Sequence, residues 1–376
     1  MIGAATGRHA VEAPPAVTTQ VVTGEGEFAA LEREWNDAVV RAQAHHPFLR
    51  HEWFHTWWEC FGAGRQLHII VVRRGTAIIG IAPLMLEQVQ MFGLPVRRLD
   101  VLQNDHTPRA DWILAGPAQE AYAGIWTALQ DSSDRWDLLQ LSRLTNDSPT
   151  LAAVADLARR GGCATGTWRG DVSPYLTLTG TWDSYHASLP AKFRSNLRNR
   201  LGRLANLGDA QLEIITRPDA AARDDSVRLE ASGWKDESRT SILSDPAVHH
   251  FYTRLADRAE KHGWLRLMFL TVGGRRIATS FGAVFNERLF LFKTGYDPEF
   301  ATCSPFKLLT FFAIQSAYTE GLREVDFLGD AEPWKLEWTS TSRAHDWLFV
   351  FAGTTRARLL HSLKFQVVPE LKRWRA

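Results

Sequence analysis

The chain lacks the features that would place it in several large classes of protein. Its 43 Lys and Arg nearly balance its 42 Asp and Glu, so no net field draws the whole protein to nucleic acid or to a charged membrane. Only three cysteines are present, Cys60, Cys163 and Cys303, and their odd number and wide spacing fit neither a disulfide framework nor a metal centre. No apolar run reaches the roughly 18 to 20 residues of a membrane-spanning helix. These absences predict a cytoplasmic protein without a transmembrane segment that binds no DNA and holds no metal.

The residue pattern divides the chain into a lead and two halves. Residues 1–17 are small, proline-bearing and without period, which predicts a disordered lead. Leu67 to Leu86 and Leu265 to Phe285 each have the pattern of a β-hairpin, as an internal duplication would give. Glycines between residues 161 and 173 predict the boundary. We expect an α+β (mixed α/β) protein with halves at 18–165 and 174–376, each a mixed sheet flanked by helices.

The most informative stretch runs from Leu289 to Asp330, where strand, loop, helix and strand signals follow one another without a gap. Leu289 to Tyr296 is apolar and aromatic, which is typical of a strand, and Asp297-Pro298 ends it. Ser304-Pro305 supplies a capping side chain and a proline at the first helical position, and Glu324 to Leu328 reads as a second strand. So short a unit implies that its two strands are parallel or splayed.

The loop before this helix has the chemistry of an anion site. The first turn of a helix has backbone N–H groups without partners and carries partial positive charge, so residues 301–306 are suited to cradle a phosphate, with Lys307 beside them. Most capped helices bind nothing, however, so these residues taken alone favour an ordinary helix start over an anion site.

The motifs of this stretch, KTGYDP, SPFKLL and VDFLGDAEPWKLEW, resemble the C-terminal half of the GNAT-fold acyltransferases. The resemblance covers roughly Trp182 to Phe351. It is to the branch that includes the CelD cellulose-biosynthesis proteins and is related to the FemAB peptidoglycan transferases. It implies two GNAT-like halves and acyl-coenzyme A as the acyl donor. The donor-binding residues that it implies are Phe292, Lys293 and Thr294 on the strand and Cys303, Ser304, Phe306 and Lys307 at the helix start. Phe306 departs from the branch, which often has a small glycine there.

Acyl transfer to an amine needs a base for the amine proton, an acid for the leaving thiolate and donors for the oxyanion. The candidate bases are Glu230, Asp297, Asp326 and Glu332, of which we favour Asp326 and Glu230, and Tyr296 is the candidate acid. Asp326 lies in an apolar strand, where an unpaired carboxylate is costly to bury, so it either faces the substrate or pairs with Lys335 or Lys293. The alternatives are a helix-surface role for Glu230 and a core role for Tyr296.

Four residues are candidates for substrate binding. Arg194 and Arg198 lie one turn apart on a helix predicted from Ala191 to Leu207, whose cations have no acid among them. They would contact phosphates, or else form a solvated basic face. Trp234 and Lys335 match positions in the ExxxWK and DFLG…K patterns of the resembling branch.

The sequence therefore predicts an N-acyltransferase that moves an acyl group from acyl-coenzyme A to an amine of a small molecule or amino sugar, in the cleft between the halves. An aminoacyl-tRNA donor is the alternative within enzymes. A non-catalytic accessory module of envelope polysaccharide biosynthesis is the alternative outside them.

Overall fold

The computed structural model describes residues 15–232 and 241–368, and over them the chain forms one mixed sheet flanked by helices. The predicted α+β class is therefore confirmed. The strands β1 to β13 are, in chain order, Val17–Val22, Gln66–Arg74, Ala77–Met91, Leu94–Val101, Ile113–Leu114, Leu138–Thr145, Ala164–Thr177, Ala210–Ile215, Leu265–Val272, Arg275–Phe285, Arg288–Tyr296, Glu324–Asp326 and Ser342–Phe351. Across the sheet they lie in the order β1-β2-β3-β4-β6-β13-β7-β12-β11-β10-β9-β8, and β5 pairs with β3.

The helices are short to medium in length. Helices α1 to α12 are, in chain order, Glu25–Ala30, Glu32–Arg41, His51–Phe61, Ala118–Asp131, Pro149–Arg160, Trp182–Ser188, Ala191–Ala205, Ala220–Ala231, Pro246–Lys261, Pro305–Thr319, Pro333–Leu336 and Thr355–Ser362. Within residues 15–232 and 241–368, none of them combines the length and the apolar character needed to cross a bilayer. Most of the predicted lead, residues 1–14, lies outside the described residues, and β1 already begins at Val17.

Two parts of the chain repeat one plan. In the first, β2 and β3 form an antiparallel hairpin, and β4 lies parallel to β6 with α4 between them in sequence. In the second, β9 and β10 form the hairpin, and β11 lies parallel to β12 with α10 between them. The duplication expected from the sequence pattern is therefore present in the fold.

The two halves exchange strands at their junction. Strand β13, from the end of the chain, pairs with β6 of the first half, while β7 pairs with β12 of the second half, and β7 and β13 pair with each other. The glycine-rich stretch predicted as a boundary thus lies mostly within β7. A Cβ at Gly166 would lie 2.4 Å from the Phe365 ring, and one at Gly170 2.8 Å from Trp347 Nε1. These glycines make room for aromatic rings instead of marking a linker, and the division at 165–174 stays a prediction.

The halves also meet along a seam between α3 and α9. Arg258 Nη2 donates to Glu59 Oε1 at 2.9 Å, and His262 Nε2 lies 3.0 Å from Glu52 Oε1. Nearby, the Phe48 ring of the first half lies 5.6 Å from the Phe290 ring on β11. The buried core runs without a break from one half to the other, so the second half is held in place by the first.

Strand β9 shows how the sequence sets the layers around the second half. Leu265, Leu267 and Phe269 belong to the core that extends into the first half, whereas Met268 and Leu270 pack in a separate core with α10. Because both faces of the strand are buried, it reads as an almost continuous apolar run. The α10 layer and the α8 and α9 layer therefore lie on opposite faces of β9 to β11.

Candidate functional site

A cleft opens where β11 and β12 part. The two strands pair only where Arg288 to Phe290 face Glu324 to Asp326, and β11 then continues to Tyr296. The parallel or splayed pairing expected from the sequence is thus observed. The cleft, here called the splay cleft, has a volume of about 370 Å³. It is lined by Ser232, the six residues from Leu291 to Tyr296, Phe306, Phe327, Glu332, Trp334 and Lys335.

A β-bulge interrupts β11 inside this cleft. Lys293 faces Phe281 on β10 and Leu291 faces Gly282, so Phe292 has no partner in the register of that pair. A Cβ at Gly282 would lie 2.3 Å from the carbonyl oxygen of Phe290, so the close approach of the strands at the bulge requires glycine. A bulge leaves backbone groups without their ladder partners. The sequence could not locate this bulge on the strand.

Helix α10 begins beside the cleft, at the residue predicted from the sequence. Pro305 is its first residue, and Phe306 lines the cleft. The prediction that the Ser304 side chain caps the helix is wrong, because Ser304 adopts a left-handed conformation with φ of 50° and its hydroxyl makes no cap hydrogen bond. The Ser304 carbonyl instead accepts the N–H groups of Lys307 and Leu308, at 3.0 and 3.2 Å. The first turn thus keeps the positive end of the helix dipole at the cleft without a capping side chain.

The wall of the cleft opposite β11 is aromatic. The ring of Phe306 lies edge-on to Trp334 at 4.5 Å, and Trp334 lies 6.1 Å from Phe327. The indole Nε1 of Trp334 donates to Glu332 at 3.0 Å. The bulky Phe306 therefore packs into this wall, which accounts for its departure from the small residue expected there.

The loop after β12 closes the end of the cleft in a strained conformation. Leu328 has φ of 54°, which is rare for a bulky residue and is maintained only when its surroundings enforce it. Its N–H donates to Asp326 Oδ1 at 3.0 Å, and its carbonyl accepts Lys335 Nζ at 2.8 Å. Lys335 Nζ also donates to the Asp330 carbonyl at 2.9 Å and lies 3.1 Å from the Glu332 carboxylate. Lys335 thus lines the cleft, but its ammonium group binds the carbonyls of the loop and stabilises the loop conformation.

Asp326, the first candidate base, is fully buried outside the splay cleft. Its Oδ2 accepts hydrogen bonds from Arg109 and, at 2.9 Å, from Arg343, and its Oδ1 is the atom that holds Leu328. The expected need for a partner is met, but by two arginines instead of Lys335 or Lys293. This arrangement favours an anchoring role over proton abstraction, since both oxygens already accept hydrogen bonds.

Glu230, the second candidate base, lies at the end of α8 against β11. It is 1% exposed, and Oε2 accepts the Ile242 N–H at 2.8 Å. A Cβ at Gly295 would lie 2.5 Å from Glu230 Cα and 2.2 Å from the Leu229 carbonyl oxygen, so only glycine allows this approach. The helix-surface reading of Glu230 is wrong, because the side chain is buried beside the strand that carries the bulge.

Glu230 lines a second cavity of about 60 Å³, here called the inner pocket. Lys293 lines both the inner pocket and the splay cleft. Most of the remaining wall is apolar and comes from Val227, Ile242, Ala256, Leu265, Leu267 and Phe281, with Pro218, Arg223, Ser226, Tyr252 and Thr253 completing it. The two cavities therefore adjoin through one side chain at the bulge.

A set of polar residues from both halves lies beside Lys293. Lys293 Nζ lies 5.4 Å from the centre of the Tyr252 ring, and the Tyr252 hydroxyl lies 3.4 Å from His106 Nδ1. Burial, together with the nearby Lys293 charge, lowers the pKa of His106 to about 4, and burial and the Glu230 carboxylate raise the pKa of Tyr252. His106 belongs to the polar loop Gln103 to Asp111, whose polarity was the available signal. His106 thus reaches from the first half to Tyr252 in the wall of the inner pocket.

The remaining candidate residues lie at different places around the splay cleft. Tyr296 and Thr294 line the splay cleft, and the Tyr296 carbonyl accepts the Ser232 hydroxyl at 2.8 Å, which ties α8 to β11. Lys307 pairs with Glu337 and lies 5.4 Å from the Phe193 ring, so its charge is engaged beside the cleft. Cys303 is 2% exposed and lies in the core under the loop.

Helix α7 carries the basic residues expected to contact phosphates. Arg203 donates to the Thr302 carbonyl at 3.0 Å, which fixes the helix against the loop that precedes α10. In residues 15–232 and 241–368, no ion pair is found for Arg194 or Arg198. Arg194 is half-buried with an unpartnered Nε, while Arg198 is exposed. Trp234 lies outside the described residues.

Comparisons with known proteins agree with this architecture. Residues 191–336 match the family model of an acetyltransferase (GNAT) domain. The crystal structure of FemX aligns with a TM-score of 0.59 at 11% identity, over 91% of this chain and 99% of that one. The C-terminal domain of an Agrobacterium fabrum protein described as a lysylphosphatidylglycerol synthetase aligns with a TM-score of 0.54 at 12% identity, over 92% of this chain and 97% of that one. At such low identity, these likenesses show the fold alone. A search of curated proteins found no match.

Proposed function

We propose that the chain is a GNAT-fold acyltransferase and that it transfers an acyl group from acyl-coenzyme A to an amine of a small molecule or amino sugar. The observation that supports this most is the splay cleft, where a bulged strand, a helix start and an aromatic wall converge. Acyl-coenzyme A needs backbone donors for its thioester carbonyl and positive potential for its pyrophosphate.

In this proposal the pantetheine arm lies along Phe292, Lys293 and Thr294, and the pyrophosphate meets the start of α10 at Phe306. The loop that contains Cys303 and Ser304 shapes this start, and Lys307 adds charge beside it. Arg194 and Arg198 on α7 contact the outer phosphates. These cations lie next to the loop before α10, because Arg203 fixes the helix there.

The reaction would proceed by direct attack of the amine on the thioester carbonyl. The C–N bond forms, the carbonyl oxygen takes up the negative charge near the bulge, and the C–S bond then breaks. Glu230 accepts the amine proton, and Tyr296 supplies a proton to the departing thiolate. Asp326 and Lys335 act indirectly. Asp326 accepts the Leu328 N–H and Lys335 donates to the Leu328 carbonyl, and together they keep β12 apart from β11.

An aminoacyl-tRNA donor is a second candidate, favoured by one observation. The cations of α7 form a basic face beside the cleft, and neither Arg194 nor Arg198 has a carboxylate partner among residues 15–232 and 241–368. Such a face attracts a nucleic-acid backbone as well as coenzyme phosphates.

The test follows thiol release from acetyl-coenzyme A with a panel of amino sugars and amino acids. We expect amine-dependent release that falls about 10²- to 10⁴-fold in Glu230→Gln, the range for loss of a general base. Glu213→Gln is the matched control, since Glu213 pairs with Arg276 on the surface of the same half and should leave the rate unchanged. Transfer from aminoacyl-tRNA without release from any acyl-coenzyme A would move the assignment to the second candidate. Absence of both activities would favour a non-catalytic module.

A further inference from the structure

We infer that the inner pocket receives the tail of the acyl group and restricts the donor to short, uncharged acyl chains. This inference rests on the proposed function, since it names the donor of the same site. Lys293 lines both the inner pocket and the splay cleft, and its cross-strand partner Phe281 forms part of the inner-pocket wall. An acyl carbon held at the bulge therefore has the inner pocket as its neighbouring space.

The lining favours a hydrocarbon tail. Six of its residues are apolar and come from three sides, namely α8, the segment before α9 together with α9 itself, and strands β9 and β10. Leu265 and Leu267 are 2% and 3% exposed and belong to the buried core, so they give the pocket a water-free apolar side. Filling an apolar cavity with methylene groups is favourable, by about fourfold in binding for each group, from roughly 0.8 kcal/mol.

The volume sets the length of the tail. An apolar cavity of about 150 Å³ admits benzene, which has six carbons, so each carbon needs roughly 25 Å³. The inner pocket, at about 60 Å³, then holds two to three carbons beyond the carbonyl. Propionyl and butyryl groups fit these limits, whereas a hexanoyl group exceeds them.

The polar part of the wall sets the charge of the tail. Glu230 places a buried carboxylate in the pocket, where its Oε2 is held by the Ile242 N–H. Of the two cations in the wall, Arg223 already pairs with Asp257 and Glu260, and Lys293 Nζ lies over the Tyr252 ring. The carboxylate of a malonyl or succinyl group would therefore be repelled by Glu230, which is costly in a region of low dielectric. An uncharged tail avoids this repulsion.

Strand β9 offers a matched pair of variants to test the inference. Leu267 faces the inner pocket, whereas Leu270 lies three residues on and packs with α10 on the opposite face of the strand. Both side chains are buried, so Leu267→Ala and Leu270→Ala remove the same atoms from comparable surroundings. Only the first enlarges the inner pocket.

The experiment measures kcat/KM for acetyl-, butyryl-, hexanoyl- and succinyl-coenzyme A in the full chain, with calorimetric binding of the same donors as a second readout. We expect the wild type to prefer butyryl over hexanoyl and to discriminate against succinyl. Leu267→Ala should raise the hexanoyl-to-butyryl ratio about 16-fold, that is, about fourfold for each of two methylenes. Leu270→Ala should keep the wild-type ratio. Ala256→Val, which fills the pocket from α9, should lower the butyryl-to-acetyl ratio at least fourfold. This variant tests the same inference if Leu267→Ala does not fold.

The possible results distinguish a failure of the inner-pocket assignment from a failure of the proposed function. Turnover with a length profile that is the same in the wild type, Leu267→Ala and Ala256→Val would overturn the inner-pocket assignment and leave the proposed function standing. Neither turnover nor binding of any acyl-coenzyme A would overturn both.

Discussion

Gly295→Ala, which adds one methyl group, should lower both the stability and the acyl-transfer rate of the protein. The new Cβ would lie 2.2 Å from the Leu229 carbonyl oxygen and 2.5 Å from Glu230 Cα, both of them backbone atoms. Restoring ordinary contact, which begins near 3.4 Å, requires the end of α8 to retreat from β11 by about 1.2 Å. Overpacking of this kind costs about 1 to 3 kcal/mol of folding free energy. A catalytic group displaced by about 1 Å costs on the order of 10²-fold in rate.

The assay compares urea unfolding and acyl-transfer rates for Gly295→Ala with those for Gly202→Ala. Gly202 lies in α7 with nothing within 4 Å of its added Cβ, so alanine there should be neutral or stabilising by up to about 1 kcal/mol. We expect Gly295→Ala to lose about 10²-fold in kcat in molecules that remain folded. A rate within twofold of wild type would refute the claim that the Gly295 contact positions Glu230.

Three further predictions concern buried charge and the strained loop. Asp326→Asn should lower the free energy of unfolding by about 3 to 5 kcal/mol, because it leaves Arg109 without its buried anion and leaves Arg343 with Glu324 alone. Glu299→Gln, at an exposed pair with Arg275, should leave stability nearly unchanged. A large loss of turnover at unchanged stability would instead mark Asp326 as the base. Burial raises the pKa of Asp100 to about 7, above its unfolded value, so the wild type should gain stability as pH falls from about 8 towards 4. Asp100→Asn should therefore be more stable than wild type at pH 8, with the difference shrinking below pH 7 in urea titrations, and a difference independent of pH would contradict this. Lys335→Met should weaken acetyl-coenzyme A binding by releasing the Leu328 and Asp330 carbonyls, and unaltered calorimetric affinity would show that the loop keeps its shape without the clamp.

The unit from β11 to β12 was predictable because its signals are local. Asp297-Pro298 stops a strand, Pro305 starts a helix, and Gly321, with φ of 69°, follows the end of that helix. The splayed pairing then followed from the shortness of the connection. Ser304 shows the limit of such reasoning, since its position was predicted correctly and its capping bond was not.

The exchange of β7 and β13 between the halves was not predictable in this way. Its pairing joins residues far apart in the chain, and the glycines of β7 have the same appearance in sequence as a linker. Only the packed structure shows that Gly166 and Gly170 lie under Phe365 and Trp347. Sequence patterns carry no information about which distant ring will cover a glycine.

The candidate site was likewise predictable only where its signals are local in sequence. An acid within the apolar strand Val325 to Leu328 had to be paired, and the sequence established that much. Its partner Arg109 lies 217 residues away, so the identity of the pair required the fold. Glu230 and Lys293 likewise belong to separate elements, and they are brought beside one bulge by the Gly295 and Gly282 contacts.

In the proposed function, acyl-coenzyme A binds in the splay cleft with its phosphates at the start of α10. Calorimetric titration of acetyl-coenzyme A into the wild type, Phe306→Glu and Thr319→Glu tests it most directly. Both variants add one negative charge to α10, the first at the cleft and the second at the exposed far end of the same helix. The account predicts binding by the wild type and Thr319→Glu and at least about tenfold weaker binding by Phe306→Glu, the effect of roughly 1.4 kcal/mol of repulsion. No binding by the wild type, or equal binding by all three, would contradict it.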